Sequence, residues 1–448
     1  MSAAVTVVGI GADGCAGLSA RAAGAVARAD VLVGGVRHLA FFPQFEGRRI
    51  AVAGGPASAF GELRDLSAEG SVCVLASGDP MFFGIGSRII EAVGAGHVEI
   101  LPHPSSVQWA FARVKISWED ARFISVHGRS IEGLAARVRH ERKVGCITDP
   151  THSPAAVARQ LLDYGDGAWQ AWVCEEVGGP GERIRAMALA ELADCKEDLA
   201  PLCVLILVRD AAWRHPPVIP FGPESDFARR MPDQGLITKR EVRLLSLAAL
   251  ELRRDSIVWD VGAGSGAVSV EAARLATEGE VYAIEADATG AAFCRDNSRH
   301  MGADNVRVVT GLAPGALAGL PDPDAVFVGG SKGQLREILA VALDRLVGRG
   351  RLVVNAITLD TIATAYAFFK ERGLDPEVIV VNVARGLKLN QTMRYDAQNP
   401  VHILAVTKPE GRGRVGDFTR GATETGPGLL VARSATRAGE VGAEGDFR

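Results

Sequence analysis

Aromatic residues are scarce in this chain, 6% of its 448 positions, so the interior must be mainly aliphatic rather than built on stacked rings. No block of five or more lysines or arginines occurs, and the formal net charge is −4. A non-specific nucleic-acid or membrane surface is therefore not expected, and the expected partner is a small molecule. No apolar stretch reaches the ~18 residues of a membrane helix. The segment Met1 to Gly11 carries no basic region ahead of its strand-like VTVVGIG, which reads as a soluble, cytoplasmic protein. The seven cysteines (Cys15, Cys73, Cys146, Cys174, Cys195, Cys203, Cys294) contain no C-x-x-C pair. An odd, scattered set argues against a disulfide framework and for a reducing compartment. The nine histidines show no H-x-x-x-H or Cys/His spacing, so no protein-bound metal is expected.

What the chain does have is glycine, 52 residues, within an ordinary globular balance of 48% hydrophobic and 23% charged positions. That combination points to tight loops between aliphatic elements. The length suggests about three folding units. Apolar strand-like runs alternate with helical patterns in two series, an α/β signature of parallel sheets with crossover helices. The first series runs from Val5 to Val208, and the prolines Pro216, Pro217, Pro220 and Pro223 then mark a linker. The second opens with a helix expected over Thr238 to Leu252, with Thr238 and Glu241 at capping-box spacing. Seven strands follow, the last expected to insert antiparallel because the connection before it is short. The expected division is residues 1–210, a linker over 211–231, a second domain over 232–408, and a glycine-rich disordered tail over 409–448. Few contacts are expected between the two halves.

The most informative motif is Asp260-Val-Gly262-Ala-Gly264-Ser265-Gly266, between the strand IVWD and the helix AVSVEAARLA. Glycines admit a ligand to backbone distance, and a helix start offers free N–H groups. The next strand ends on Glu285, 19 residues after Gly266, where a carboxylate can accept hydrogen bonds from both ribose hydroxyls. An acid leading the glycines suits S-adenosylmethionine, whose ammonium needs a nearby anion. At the amino terminus, Gly9-Ile-Gly11-Ala-Asp13-Gly14 matches G-x-G-x-x-G, but the following strand VLVGG ends without the acid that a dinucleotide requires. A second loop, Ser77-Gly78-Asp79-Pro80-Met81-Phe82-Phe83-Gly84, also follows a strand, so two loops can converge on one cleft. A dinucleotide-dependent oxidoreductase and an adenosyl-ligand-sensing regulator stand as alternative functions.

The segments VVGIGADG, ASGDPMFFGIG, PHPSSVQWAFARVKISWED and SVHGR resemble the tetrapyrrole (corrin and porphyrin) methylases, specifically those acting at carbon 5 of a corrin precursor. The resemblance covers residues 1 to about 210. ITKREVRLLSLAALEL, DVGAGSG, YAIEAD, FVGGSKG and ARGLKLNQT are similar to the partner methyltransferase of that pathway. Both in one chain is the arrangement of the fused, decarboxylating corrin methyltransferases of cobalamin biosynthesis. The fold implied is a tetrapyrrole-methylase fold of two α/β subdomains followed by a class I Rossmann-like methyltransferase fold with a seven-stranded sheet.

The resemblance implies two S-adenosylmethionine sites. One cleft would be lined by Gly9, Gly11, Gly78, Asp79, Met81, Gly84, Ser105 and Ser106. The other would be built on Thr238, Asp260, Gly262, Gly264, Ser265, Gly266, Glu285, Leu312, Ala313 and Gly329. Relatives usually carry an aspartate where this chain has Leu312, so the backbone of Leu312 and Ala313 would have to serve the adenine. The first loop also lacks a proline that many relatives have. The implied reaction methylates precorrin-6B at carbons 5 and 15, releases the carbon 12 acetate carboxyl as CO2 and yields precorrin-8, with no catalytic triad needed. Substrate-contact candidates are His127, Arg129, Arg385, Lys388 and Arg394, and a homo-oligomer is expected.

Overall fold

Three sheets carry the structure, a computed structural model that describes residues 4–52, 62–197, 199–217, 221–229 and 237–410. The expected tail from residue 411 onward lies outside the described residues, as do 218–220 and 230–236 of the expected linker. In the first sheet β1 (Val5–Ile10), β2 (Val31–Gly34), β3 (Arg48–Ala51), β4 (Val72–Ser77) and β5 (Val98–Leu101) are all parallel, ordered β3-β2-β4-β1-β5. β1 and β4 occupy central positions and are aliphatic along their length, as burial on both faces demands. Because they are neighbours, their following loops meet: the Gly78 N–H donates to the Ile10 carbonyl at 2.9 Å.

The second sheet contains β6 (Arg122–Ser125), β7 (Lys143–Ile147), β8 (Trp169–Glu175), β9 (Arg183–Ala188) and β10 (Cys203–Arg209), ordered β6-β7-β10-β8-β9. It departs from the parallel expectation, since only β6 and β7 run parallel and the other pairs are antiparallel. The stretch Glu176 to Glu182 between β8 and β9 is too short for a helical crossover. β9 is an edge strand that the sequence pattern did not reveal, because its arginines and partial exposure hide the alternation.

The third sheet comprises β11 (Ile257–Val261), β12 (Glu280–Glu285), β13 (Val306–Thr310), β14 (Ala325–Val328), β15 (Arg351–Ala356) and β16 (Glu377–Val381), joined by a strand from beyond a hairpin. That hairpin is β17 (Ala384–Leu389) paired with β18 (Thr392–Ala397), and β19 (Val401–Thr407) returns to the sheet. The order is β13-β12-β11-β14-β15-β19-β16, with β19 antiparallel to both neighbours as the sequence leads one to expect. Among the described residues no helix is long and apolar enough to cross a membrane.

The expected capping box at Thr238 is not formed. The helix spans Arg240–Ala249 with Lys239 at its N-cap and no side-chain cap bond. Glu241 instead pairs with Arg385, and the Thr238 carbonyl accepts from Arg243 at 2.6 Å. Arg243 and Glu271 are both fully buried and bonded through two contacts of 2.8 Å. Arg243 also donates to the Gly222 carbonyl at 2.6 Å, so one guanidinium joins the segment before the helix to the helix Ala267–Leu275 behind the glycine loop.

Contacts do join the two expected halves, and residues 1–408 form one compact unit. Asp304, 1% exposed, accepts the N–H groups of Ala135 and Ala136 at 2.8 and 2.9 Å and the Gln160 amide at 3.0 Å. Arg139 donates to the Met301 carbonyl at 3.0 Å, and Arg122–Glu278 and Arg307–Glu132 pairs flank the seam. Removing one partner of a buried pair strands the other's charge, so Glu271→Ala should cost about 3–5 kcal/mol in a urea melt. A loss near zero would show that the pair does not hold the second half together.

Candidate functional site

The first site is a cavity of about 730 Å³ between the carboxyl ends of β1 and β4 and the ends of β6, β7 and β10. Of the eight residues expected to line it, Gly11, Gly78, Asp79, Gly84, Ser105 and Ser106 do so, together with His127 and Arg129. Gly9 lies behind the wall, where a Cβ would collide with the Gly78 carbonyl and with His103. It is glycine so that the two loops can touch. Met81 is outside the lining and half exposed, its N–H bound at 2.8 Å by the Asp79 carboxylate. Ser105 caps the helix Ser106–Val114 reciprocally with Gln108, which leaves that helix start facing the cavity.

Pattern reading missed Arg37, His38, Trp109 and Glu176, which also line this cavity. None sits in a glycine motif, and only the fold brings the turn after β2 beside the others. Burial, reinforced by Arg37, pushes His38 down to about 4, so its imidazole is neutral at physiological pH, with Nε2 3.1 Å from the Ser77 hydroxyl. Arg129 lies over the Phe83 ring at 5.3 Å, which fixes a cation at the rim.

The second site lies at the carboxyl ends of β11 and β12. Gly262 (φ +76°) and Gly266 (φ +80°) are held in the left-handed region, and a Cβ would strike the Gly330 backbone at the first and the Cys294 side chain at the second. At Gly264, φ is +57° and nothing lies within 4 Å of the Cβ position, so the middle of the loop is open to a ligand. Glu285 accepts the Gly264 N–H at 2.7 Å and the Asp287 N–H at 2.8 Å, tying the loop to the end of β12. Each of its oxygens retains a lone pair for a hydroxyl.

Asp260 is buried, and its Oδ2 accepts from the Ser269 hydroxyl. Among the described residues Oδ1 has no hydrogen-bond partner. Burial foremost, with the Glu285 charge adding to it, lifts this carboxyl to about 7. A buried acid with an orphaned oxygen below an open glycine is suited to a cationic ligand group. Gly329 and Gly311 abut the same strand ends, donating to the carbonyls of Val261 and Glu285, both at 2.9 Å. Ser265 offers its carbonyl to Asn297 at 2.8 Å, Leu312 is about half exposed and Ala313 is buried. Thr238 is half-buried and contributes a carbonyl to Arg243 rather than a cap.

Of the cationic candidates, Arg385 is already neutralised. It donates to Glu224 at 2.8 and 3.0 Å and to Glu241, and the contact with Arg385 holds Glu224 down to about 2. It anchors the hairpin base. Lys388 and Arg394 stand exposed on the hairpin, Arg394 at 3.9 Å from Asp396.

Two family descriptions match in sequence order: Tetrapyrrole (Corrin/Porphyrin) Methylases over residues 4–193 and Precorrin methyltransferase domain over 230–408. A relative from Sinorhizobium sp. named precorrin-6Y C(5,15)-methyltransferase [decarboxylating] is 35% identical over 410 residues, covering 90% of this chain and 96% of its own length. One of the same name from Mycobacterium tuberculosis (strain ATCC 25618 / H37Rv) is 34% identical over 384 residues, 82% of this chain and 91% of that relative. A crystal structure of precorrin-6y C5,15-methyltransferase from Geobacter metallireducens GS-15 is 41% identical and covers 43% of this chain and 100% of that one, with a TM-score of 0.41. Matched through both halves, the chain belongs to the precorrin-6Y C(5,15)-methyltransferase (decarboxylating) family.

Proposed function

We propose that this methyltransferase acts in cobalamin biosynthesis on precorrin-6B, methylating carbons 5 and 15 and releasing the carbon 12 acetate carboxyl as CO2 to give precorrin-8. The reading is carried by the match along both halves, and it displaces the oxidoreductase and sensor alternatives. It assigns one S-adenosylmethionine site to each half. S-adenosylmethionine supplies the methyl group as an electrophile on a sulfonium.

In the second half the ionised Asp260 would hold the amino-acid ammonium, Glu285 the ribose hydroxyls, and the open Gly264 backbone would admit the chain between them. The backbone of Leu312 and Ala313 would flank the adenine. In the first half the loops at Gly11 and Gly78 and the helix start at Ser106 would hold the second molecule, with His127 and Arg129 at the substrate rim. Because the bridge carbons of the substrate are already nucleophilic, the protein's task is alignment for in-line displacement. Decarboxylation needs a poorly solvated pocket for the acetate while the macrocycle accepts the electrons.

The same proposal gives carbon 15 and the decarboxylation to residues 232–408 and carbon 5 to residues 1–210, with 211–231 as the linker. With Arg385 engaged by Glu224 and Glu241, the cations left to meet substrate carboxylates there are Lys388 and Arg394. Apolar side chains exposed on the hairpin, Leu387, Leu389, Met393 and Tyr395, support a homo-oligomer.

Precorrin-6B incubated with the full chain and S-adenosylmethionine should gain two methyl groups and lose CO2 by mass spectrometry. Glu285→Ala removes charge-assisted ribose hydrogen bonds of roughly 1.5–3 kcal/mol each, so affinity in the second half should fall at least about tenfold. Carbon 5 methylation should survive in that variant. Loss of carbon 5 methylation together with carbon 15 methylation in that variant would overturn the division of labour.

Asp260 adds a pH signature. The unfolded carboxyl ionises near 3.8, whereas the folded one keeps its proton to about 7. Without ligand, stability from this group is therefore full below 3.8 and is lost as pH rises through 7. Binding an ammonium requires the ionised form, so affinity at the second site should drop about tenfold per pH unit below 7 and binding should release a proton. Calorimetry in buffers of different ionisation enthalpy measures that proton. A pH-independent affinity that Asp260→Asn leaves unchanged would remove Asp260 from the site.

A further inference from the structure

A second, smaller cavity of about 180 Å³ shares no lining residue with the first cleft. Its wall comes from three parts of the chain: Arg139, Asp166 and Arg209 of the first half, Trp213 and Arg214 of the linker, and Gly302 of the second half. Arg209 closes the end of β10, whose opposite end, Cys203 and Val204, borders the first cleft. Seven residues of strand put roughly 20 Å between the two. Gly302 precedes β13, at the amino ends of the parallel strands of the third sheet, whereas the glycine loop of the second site lies at their carboxyl ends. The cavity is thus separate from both cofactor positions.

Its charge is unbalanced. Among the described residues Asp166 is the one acid in the wall, and it is bound by both terminal Arg209 nitrogens, one at 2.9 Å. Arg209 itself is 2% exposed in its side chain and packed on Trp169 at 3.6 Å and Trp213 at 4.7 Å. Arg139 and Arg214 then remain as surplus cations. Among the described residues no carboxylate lies at ion-pair distance from either, and their contacts are backbone carbonyls: Met301 for Arg139, and Ala211, Ala212 and Trp213 for Arg214. The crowding is felt around them. Burial lowers Arg139, with Arg209 lowering it further against the pull of Asp166. The adjoining His140 is lowered by burial and then by Arg139, His215, Arg254 and Arg274.

Planar guanidiniums with spare N–H groups at a cavity mouth match the tetrahedral oxygens of a phosphate group. The space is too small for a corrin ring or an adenosyl group. We propose that this cavity binds a small oxyanion of the phosphate class between Arg139 and Arg214, and that the bound ion fastens the linker to both halves of the chain.

The test is calorimetric titration of the full chain with inorganic phosphate and, separately, pyrophosphate, at constant ionic strength in a buffer without other oxyanions. One ion should bind per chain with either probe or both. Arg214→Ala, a change at the exposed linker, should weaken binding about tenfold, and Arg139→Gln should weaken it further. Saturation of both cofactor sites with S-adenosylhomocysteine should leave the affinity unchanged, and the ion should slow proteolysis of the linker. Absence of saturable binding at millimolar phosphate and pyrophosphate overturns the proposal. So does binding that Arg214→Ala leaves intact, or binding that S-adenosylhomocysteine displaces. If Arg139→Gln fails to fold by circular dichroism, Arg214→Ala decides alone.

Discussion

The relation between the two halves depends on one buried carboxylate. Asp304 reaches from the loop before β13 to the first turn of the helix Leu134–Val138, satisfying two N–H groups that a helix start leaves open. A buried carboxylate is tolerated only with such partners, so the bond that caps a helix in the first half is also what allows Asp304 to be interior in the second. Through it the loop of Met301 to Asn305 is held against Arg139, and the small cationic cavity acquires its third wall.

The two cofactor positions use different physical means for a similar end. In the first half the cavity opens between separate sheets, and its polar lining includes a helix start, a neutral imidazole at His38 and a ring-stacked Arg129. In the second half the ligand position lies above a single sheet, where three glycines and two acids sit at adjacent strand ends. Both stand at the carboxyl ends of parallel strands, where loops that diverge above a sheet leave room for a ligand. Discrimination between the sites therefore has a physical handle, since one presents a buried acid lifted to about 7 and the other a neutral imidazole beside a ring-stacked guanidinium.

What could be read in the sequence follows burial. Strands such as β13 and β14 belong to the expected second series because continuous aliphatic runs between helical patterns have few other solutions. The loop Asp260 to Gly266 is legible because its neighbours are local in sequence. That Arg385 is engaged is not legible locally, because its partners, Glu224 and Glu241, lie 161 and 144 positions away. The capping box at Thr238 failed for the same reason, since Glu241 was claimed from a distance. His38 and Arg37 belong to the first cleft through the placement of β2 beside β4, which no local pattern encodes.

The layering of Trp169, Arg209 and Trp213 has an optical consequence. Indole emission responds to nearby charge and to water, and here two indoles share one guanidinium at the place where the first half hands the chain to the linker. Trp213 also faces Arg142 at 5.6 Å and His215 at 4.6 Å. Any shift of the linker alters the field on that ring, while Trp169, 4% exposed, stays shielded from solvent. Of the six tryptophans of the chain, Trp213 thus sits where its emission would follow how the linker is seated.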